Sequence, residues 1–151
     1  MEVEKSVAII VFRKEEEFRF LILWKKASDH YREAWEFPKG NAEKGEGEMQ
    51  TALRELQEET GLTEKDVQFY DFHDKVSFFY RNEQQELIRK ELSFVMARTT
   101  KSEVKISSEH DAFRWAQYLE AFDLLNQKNT KDVLRKAYDF LKKKFAQRTI
   151  F

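Results

Sequence analysis

The order of hydrophobic periodicities along the chain predicts an α/β/α sandwich, with a mixed β-sheet lying between helices. Three observations carry this prediction. Near the N-terminus, short β-branched and aromatic apolar runs read as buried strands. In the middle, an apolar stripe at helical spacing stops at a glycine. A block rich in Phe, Tyr and Val follows, and then a C-terminal stretch with helical periodicity. At 151 residues the chain has the length of one domain with a proper core, so a single domain over 1–151 is expected.

Residues 6–13 (SVAIIVFR) are short and β-branched, and predict a buried strand. Residues 14–17 are a charged turn. Residues 18–26 (FRFLILWKK) form a second strand, paired with the first as a hairpin. Residues 27–34 make a polar loop that holds His30 and Tyr31, and residues 35–38 (WEFP) a short extended piece. Pro38, the only proline, biases Phe37 to extended geometry and delivers the chain to Lys39 and Gly40. Residues 40–62 read as loop, helix and stop. Gly45 and Gly47 break structure before Glu48. Met49, Ala52, Leu53 and Leu56 form the stripe facing a core, and Gly61 suits the left-handed position that ends the helix.

Residues 67–80 and 87–98, joined by a turn over 81–85, predict a long hairpin. Residues 103–106 read as a short strand, 107–111 as a polar loop and 113–115 as extended structure. A short helix is expected over 119–125. Thr130 is a fair N-cap for the last helix, with Val133, Leu134, Ala137, Tyr138, Leu141 and Phe145 facing inward.

The formal net charge of −1 argues against a polycation that coats nucleic acid, while leaving room for a local basic groove. Cysteine is absent, which removes disulfides and thiolate metal sites. No apolar run is long enough to span a membrane or act as a signal peptide. A soluble, cytoplasmic protein without a membrane partner is expected, as a monomer or small homo-oligomer.

Opposite the apolar stripe of the central helix, Glu55, Glu58 and Glu59 fall three and four residues apart, within about one helical turn. Like charges at that spacing repel, so a neutralising partner is expected. Arg54 cannot neutralise the whole cluster. Hard divalent cations such as Mg²⁺ or Mn²⁺ take oxygen ligands, and Mg²⁺ commonly bridges to substrate phosphates. On the triplet alone, a solvated acidic helix face is the commoner outcome.

The wider spacing is more specific. Gly40, Glu46, Arg54, Glu55, Leu56, Glu58, Glu59, Gly61 and Leu62 match G-x5-E-x7-R-E-U-x-E-E-x-G-U, with U aliphatic, without gap or substitution. The stretch resembles the Nudix box, the signature of hydrolases that cleave a nucleoside diphosphate linked to another moiety. The resemblance implies a Nudix-type sandwich. Flanking segments resemble, within that family, the asymmetric diadenosine tetraphosphate hydrolases. Residues 35–40 (WEFPKG) are similar to that group's W-x-x-P-K-G lead, and residues 108–115 (SEHDAFRW) to its E-H-x-x-[YF]-[RK]-W segment. The aromatic and basic hairpin around Phe78 and Lys90 is the third likeness. Asn41 stands where that group commonly has His, and Phe78 where it has Tyr, with Tyr80 two residues on.

The resemblance implies attack by water on phosphorus in a polyphosphate chain, asymmetrically, to give ATP and AMP from diadenosine tetraphosphate. It implies Mg²⁺, with Mn²⁺ as a substitute, held by Glu55, Glu58, Glu59 and Glu109 and by the backbone carbonyl of Gly40. Glu55, Glu58 and Glu109 are the catalytic candidates. Glu109 would come from a loop as a further ligand or as the general base. Lys39, Asn41, Lys90 and His110 are candidate substrate contacts, with His110 orienting Glu109 or touching phosphate. Phe78, Tyr80 and Phe113 are candidates to stack adenine. Glu46 and Arg54 are expected to pair structurally, with Gly61 as the helix stop. His30 and His73 read as loop or surface residues without a chemical role. Other readings are an RNA 5′-pyrophosphohydrolase, which alone would make nucleic acid a partner, a house-cleaning (d)NTP or ADP-ribose pyrophosphatase, and a non-catalytic nucleotide-binding module. The last would be expected to have lost carboxylates that are all present here.

Overall fold

A computed structural model of the chain describes residues 2–29 and 31–146. His30, read above as a loop residue, lies outside the described residues. The elements run β1 (Val3–Lys14), β2 (Phe18–Lys25), β3 (Ala34–Glu36), β4 (Lys39–Asn41), α1 (Glu48–Thr60), β5 (Val67–Arg81), β6 (Leu87–Thr99), β7 (His110–Gln117), α2 (Tyr118–Leu124) and α3 (Lys128–Ala146), with a 3₁₀ turn at Glu64–Asp66. The seven strands form one mixed sheet in the order β3-β2-β1-β6-β5, with β4 paired to β1 and β7 to β2. Among the described strands β1 and β6 pair in parallel and the other strand pairings are antiparallel.

Alternation along β1 builds the two cores. Ala8, Ile10 and Phe12 face one side with Phe20, Phe94 and Met96, where α3 adds Val133, Leu134, Ala137 and Leu141. Val7, Ile9 and Val11 face the other side with Leu21, Leu23, Ala52 and Leu56. The sheet is therefore sandwiched between α1 and the pair α2–α3, as the periodicities predicted. Full burial of Leu134 and Leu141 contributes about 1.5–3 kcal/mol each. Phe145 and Tyr138 close the α3 side by edge-on contacts with Phe18.

Several local expectations are corrected. Residues 103–106 are not a strand. Lys105 N–H donates to Thr60 O at 2.9 Å and Val104 is buried beside α1, so the segment is tied to the end of that helix and not to a sheet edge. Strand β7 begins at His110, inside the expected loop, because His110 pairs with Lys25. Pro38 divides the extended lead into β3 and β4, and β3 begins at Ala34. Helix α3 starts at Lys128, so Thr130 lies in its first turn and is not its cap.

Helix α1 is rotated from the expected orientation. Met49 is 41% exposed, while Glu55 and Glu59 are buried with Ala52 and Leu56. The carboxylates of 55 and 59 therefore face the sheet edge at β4, and Glu58 alone keeps to the outside. Gly61 ends the helix with φ +75°, and its N–H donates to Gln57 O.

Candidate active site

The first group of site residues sits where α1 meets β4. Pairing with β1 holds Lys39 opposite Ala8 and Gly40 opposite Val7. A Cβ on Gly40 would come within 2.0 Å of Glu55 Cδ, so the carboxylate of Glu55 fills the space that only glycine leaves. The Lys39 backbone N–H donates to Glu59 Oε1 at 3.0 Å. Burial pushes the Glu59 carboxyl up to about 8, with the Lys39 N–H opposing and the charges of Glu55, Glu36 and Glu109 adding to the rise. Glu55 is raised as well, by burial against the pull of Arg54, with Glu58 and Glu109 adding to the rise.

Arg54 fastens the loop before α1. It donates to Glu46 from Nε at 2.8 Å, to the Asn41 carbonyl at 2.8 Å and to Glu55 at 2.8 Å, and lies 3.4 Å from Glu58. Its bond holds Glu46 down to about 2, together with the Glu43 N–H. Thr51 Oγ1 adds a further donor to Glu46.

A second group lies on β3 and β7, on either edge of β2. His110 Nε2 stands 3.1 Å from Glu36 Oε2, and Glu36 Oε1 is 3.8 Å from Lys39 Nζ. Burial raises Glu36, but the His110 bond and the charges of Lys39 and Lys25 outweigh it and hold the carboxyl below its usual range. Burial also lowers Lys39, against the pull of Glu36 and with the push of Lys90 and Lys25. Glu109 is exposed beside His110, near enough for its charge to act on Glu55 and Glu59.

The third group belongs to the β5–β6 hairpin. Tyr80 Oη donates to Glu4 Oε2 at 2.6 Å, Lys90 Nζ lies 3.2 Å from Glu4 Oε1, and Asn41 also bonds this carboxylate. The bond to Glu4 pushes the Tyr80 phenol up to about 12. Phe78 pairs with Lys90, so it shares this face of the sheet. Asn41 is further fixed by the Ser6 hydroxyl.

Three candidates therefore meet on Glu4, a residue the sequence reading passed over. The alternation of β1, counted back from Phe12, puts Glu4 on that face. Glu36 was likewise passed over within the WEFPKG lead. One sequence expectation needs correction, and another divides between two parts of the molecule. The His110 side chain is 0% exposed and bonded to Glu36, so it does not reach substrate phosphate. Phe113 is 36% exposed, but it pairs with Leu23 on the α1 face at the far edge of the sheet from Phe78 and Tyr80. One base cannot touch all three.

Among the described residues, no three His, Cys, Asp or Glu side chains converge as a metal cage, because Arg54 draws Glu55 and Glu58 to itself. The donor chemistry nevertheless fits a hard divalent cation. Glu55, Glu58, Glu59 and Glu109 offer only oxygen, Gly40 leaves room for close approach, and the raised carboxyls of Glu55 and Glu59 mark charge without enough compensation. No helix among the described residues is long and apolar enough to cross a membrane.

A family model described as NUDIX domain matches residues 3–139. The chain is 31% identical to the asymmetrical bis(5′-nucleosyl)-tetraphosphatase of Sus scrofa, over 91% of this chain and 95% of that protein. A solved binary complex of a C. elegans Ap4A hydrolase superposes with a TM-score of 0.79 at 27% identity, covering 92% of this chain and 98% of that one. The RNA pyrophosphohydrolase of Legionella pneumophila is 28% identical over 66% of this chain and 63% of its own length.

Proposed function

The chain belongs to the Nudix hydrolase family, and from that premise we propose that it cleaves diadenosine tetraphosphate asymmetrically, to ATP and AMP. The observation that supports this substrate is coverage. The likeness to the tetraphosphatase of Sus scrofa spans nearly both chains, while that to the RNA pyrophosphohydrolase spans about two thirds.

Nudix hydrolases generally need a divalent metal. In our reading Mg²⁺ is held by Glu55, Glu58, Glu59 and Glu109 with the Gly40 carbonyl, and Mn²⁺ substitutes. When bound, it supplies charge neutralisation for the polyphosphate and a more acidic water. The chain's own residues do the rest. Lys39 and Lys90, close enough to feel each other's charge, hold phosphate oxygens. Glu109 reaches in from outside the helix and takes the proton of the attacking water. Tyr80 and Phe78 lie against one adenine, and Asn41 borders the same pocket. Glu46 and Arg54 keep the loop in register on α1. Phe113 stands apart from this pocket.

The test is product analysis in ¹⁸O-water with Mg²⁺, beside 5′-triphosphate RNA and ADP-ribose. ATP plus labelled AMP supports the reading. Two molecules of ADP would mean symmetric cleavage and a wrong geometry. An intact dinucleotide, with pyrophosphate released from RNA, moves the protein to the second reading, which the Legionella pneumophila relative favours.

A further inference from the structure

We propose that Glu36 is a positioning residue that holds Glu109 in the site through His110. The proposal rests on the reading of Glu109 as a site carboxylate. Leu23, Trp24 and Lys25 of β2 pair on one edge with Glu36, Trp35 and Ala34, and on the other with Phe113, Ala112 and His110. The bond from His110 Nε2 to Glu36 Oε2, 3.1 Å long, therefore crosses over β2 and joins β3 to β7. Each joined strand borders a part of the site. From Glu36 the chain runs through Phe37 and Pro38 to Lys39 and Gly40. At the other end, Glu109 is the chain neighbour of His110.

The start of β7 is held by the turn before it, where His110 N–H donates to Ser107 O at 3.2 Å and Glu109 N–H to Ser107 Oγ at 3.3 Å, but only loosely by the ladder. The ladder between β2 and β7 is irregular at Trp24/Lys25, which leaves Asp111 out of register just after His110. The side-chain bond supplies the constraint that the ladder lacks. Among the described residues it is also the one hydrogen bond to the ring, since His110 Nδ1 is buried without a partner there. With Glu36 ionised, the ring nitrogen facing it carries the hydrogen and donates. Without Glu36, both ring nitrogens are buried and unpaired. The ring then has reason to leave its place and to carry Glu109 with it. The second oxygen of Glu36 lies 3.8 Å from Lys39 Nζ, beyond hydrogen-bond reach, so the bond to His110 is the main hold of this carboxylate.

The test is a double-mutant cycle of Glu36→Ala and Glu109→Gln, with Glu36→Gln beside it. Two quantities are read: kcat for diadenosine tetraphosphate with Mg²⁺, and Mn²⁺ affinity of the protein without substrate. Glu36→Ala should lower kcat roughly 10–100-fold, with KM changing less. Glu36→Gln keeps an acceptor for the His110 N–H and should recover kcat to within about threefold. In the Glu109→Gln background, Glu36→Ala should cost less than about twofold, in kcat and in Mn²⁺ affinity alike. Equal costs in both backgrounds would overturn the proposal, as would a Gln variant as impaired as the Ala variant. If Glu36→Ala does not fold, His110→Asn takes its place in the same cycle. If the wild-type protein cleaves no nucleotide offered, the substrate reading fails by itself. The Mn²⁺ cycle then decides the role of Glu36: coupling supports it and additivity overturns it.

Discussion

Glu59 and Glu4 are both carboxylates at the candidate site, and their surroundings are opposite. Glu59 sits in α1 with a single N–H from Lys39, beside Glu55, and within reach of the charges of Glu36 and Glu109; its carboxyl rises to about 8. Glu4 sits at the start of β1 with the Tyr80 hydroxyl, the Lys90 ammonium and Asn41 around it; its carboxyl falls below the usual range although burial opposes this. Burial acts in one direction on both. The number of donors decides the sign. The α1 side of the candidate site therefore holds uncompensated negative charge, and the hairpin side holds charge already matched.

The largest expected effect tests whether the α1 charge is chemical. Glu58→Gln, at a side chain 56% exposed, should cost little stability but lower kcat with Mg²⁺ by about 10²-fold or more. Turnover unchanged by that substitution would make the α1 carboxylates a structural cluster, and the contrast with Glu4 would lose its functional meaning.

The next effect tests the charge itself by pH. The folded pKa of Glu59, about 8, lies above its ordinary value of 4.5. The unfolded chain thus releases this proton first, and folded-state stability falls as pH rises from about 4.5 to 8. In metal-free protein at alkaline pH, Glu59→Gln should raise stability by about 2–4 kcal/mol, or roughly 5–10 °C in Tm. At pH 4 the two proteins should melt together, because the wild-type carboxyl is then protonated. A difference that stayed constant with pH would refute the raised carboxyl.

The smallest effect probes the matched end. Tyr80→Phe removes the hydroxyl that meets Glu4 and should cost about 1 kcal/mol of stability. KM for diadenosine tetraphosphate should rise by about two- to fivefold, with kcat little changed. A larger loss in kcat than in KM would move Tyr80 out of the binding end and into the chemistry.

Much of the fold was legible because alternation and helical periodicity record which side chains enter a core. β1, β2, the β5–β6 hairpin and α3 each declare themselves by apolar residues at their own period. The site was legible in its list of residues and less so in its arrangement. Met49 and Leu53 suggested a helix face that the structure rotates away, because hydrophobicity counts Glu55 and Glu59 as outward-facing. Their burial beside Gly40 is a tertiary fact, made possible by a glycine on another strand. His110 looked like a surface contact because nothing local reveals that Glu36, on β3, waits for it. Glu4 and Glu36 were missed for the same reason: their partners lie far away in the chain, and only strand register brings them together. Residues 103–106 had a strand's composition but met the end of α1 before any free sheet edge.

The parallel pairing of β1 with β6 has a consequence for how the molecule is made. Glu4 lies opposite Lys90, so the first strand of the sheet meets its central neighbour only after most of the chain has been synthesised. Until then β1 has one flank open, and Ile9 and Val11 lack the Val95 and Ala97 that later cover them. Closing so long a loop is costly in entropy and slow. The central helix and its carboxylates can form early in the life of the chain, but Tyr80 and Lys90 arrive late. A nascent chain halted before β6 would carry the whole box and still lack Lys90, the partner of Glu4.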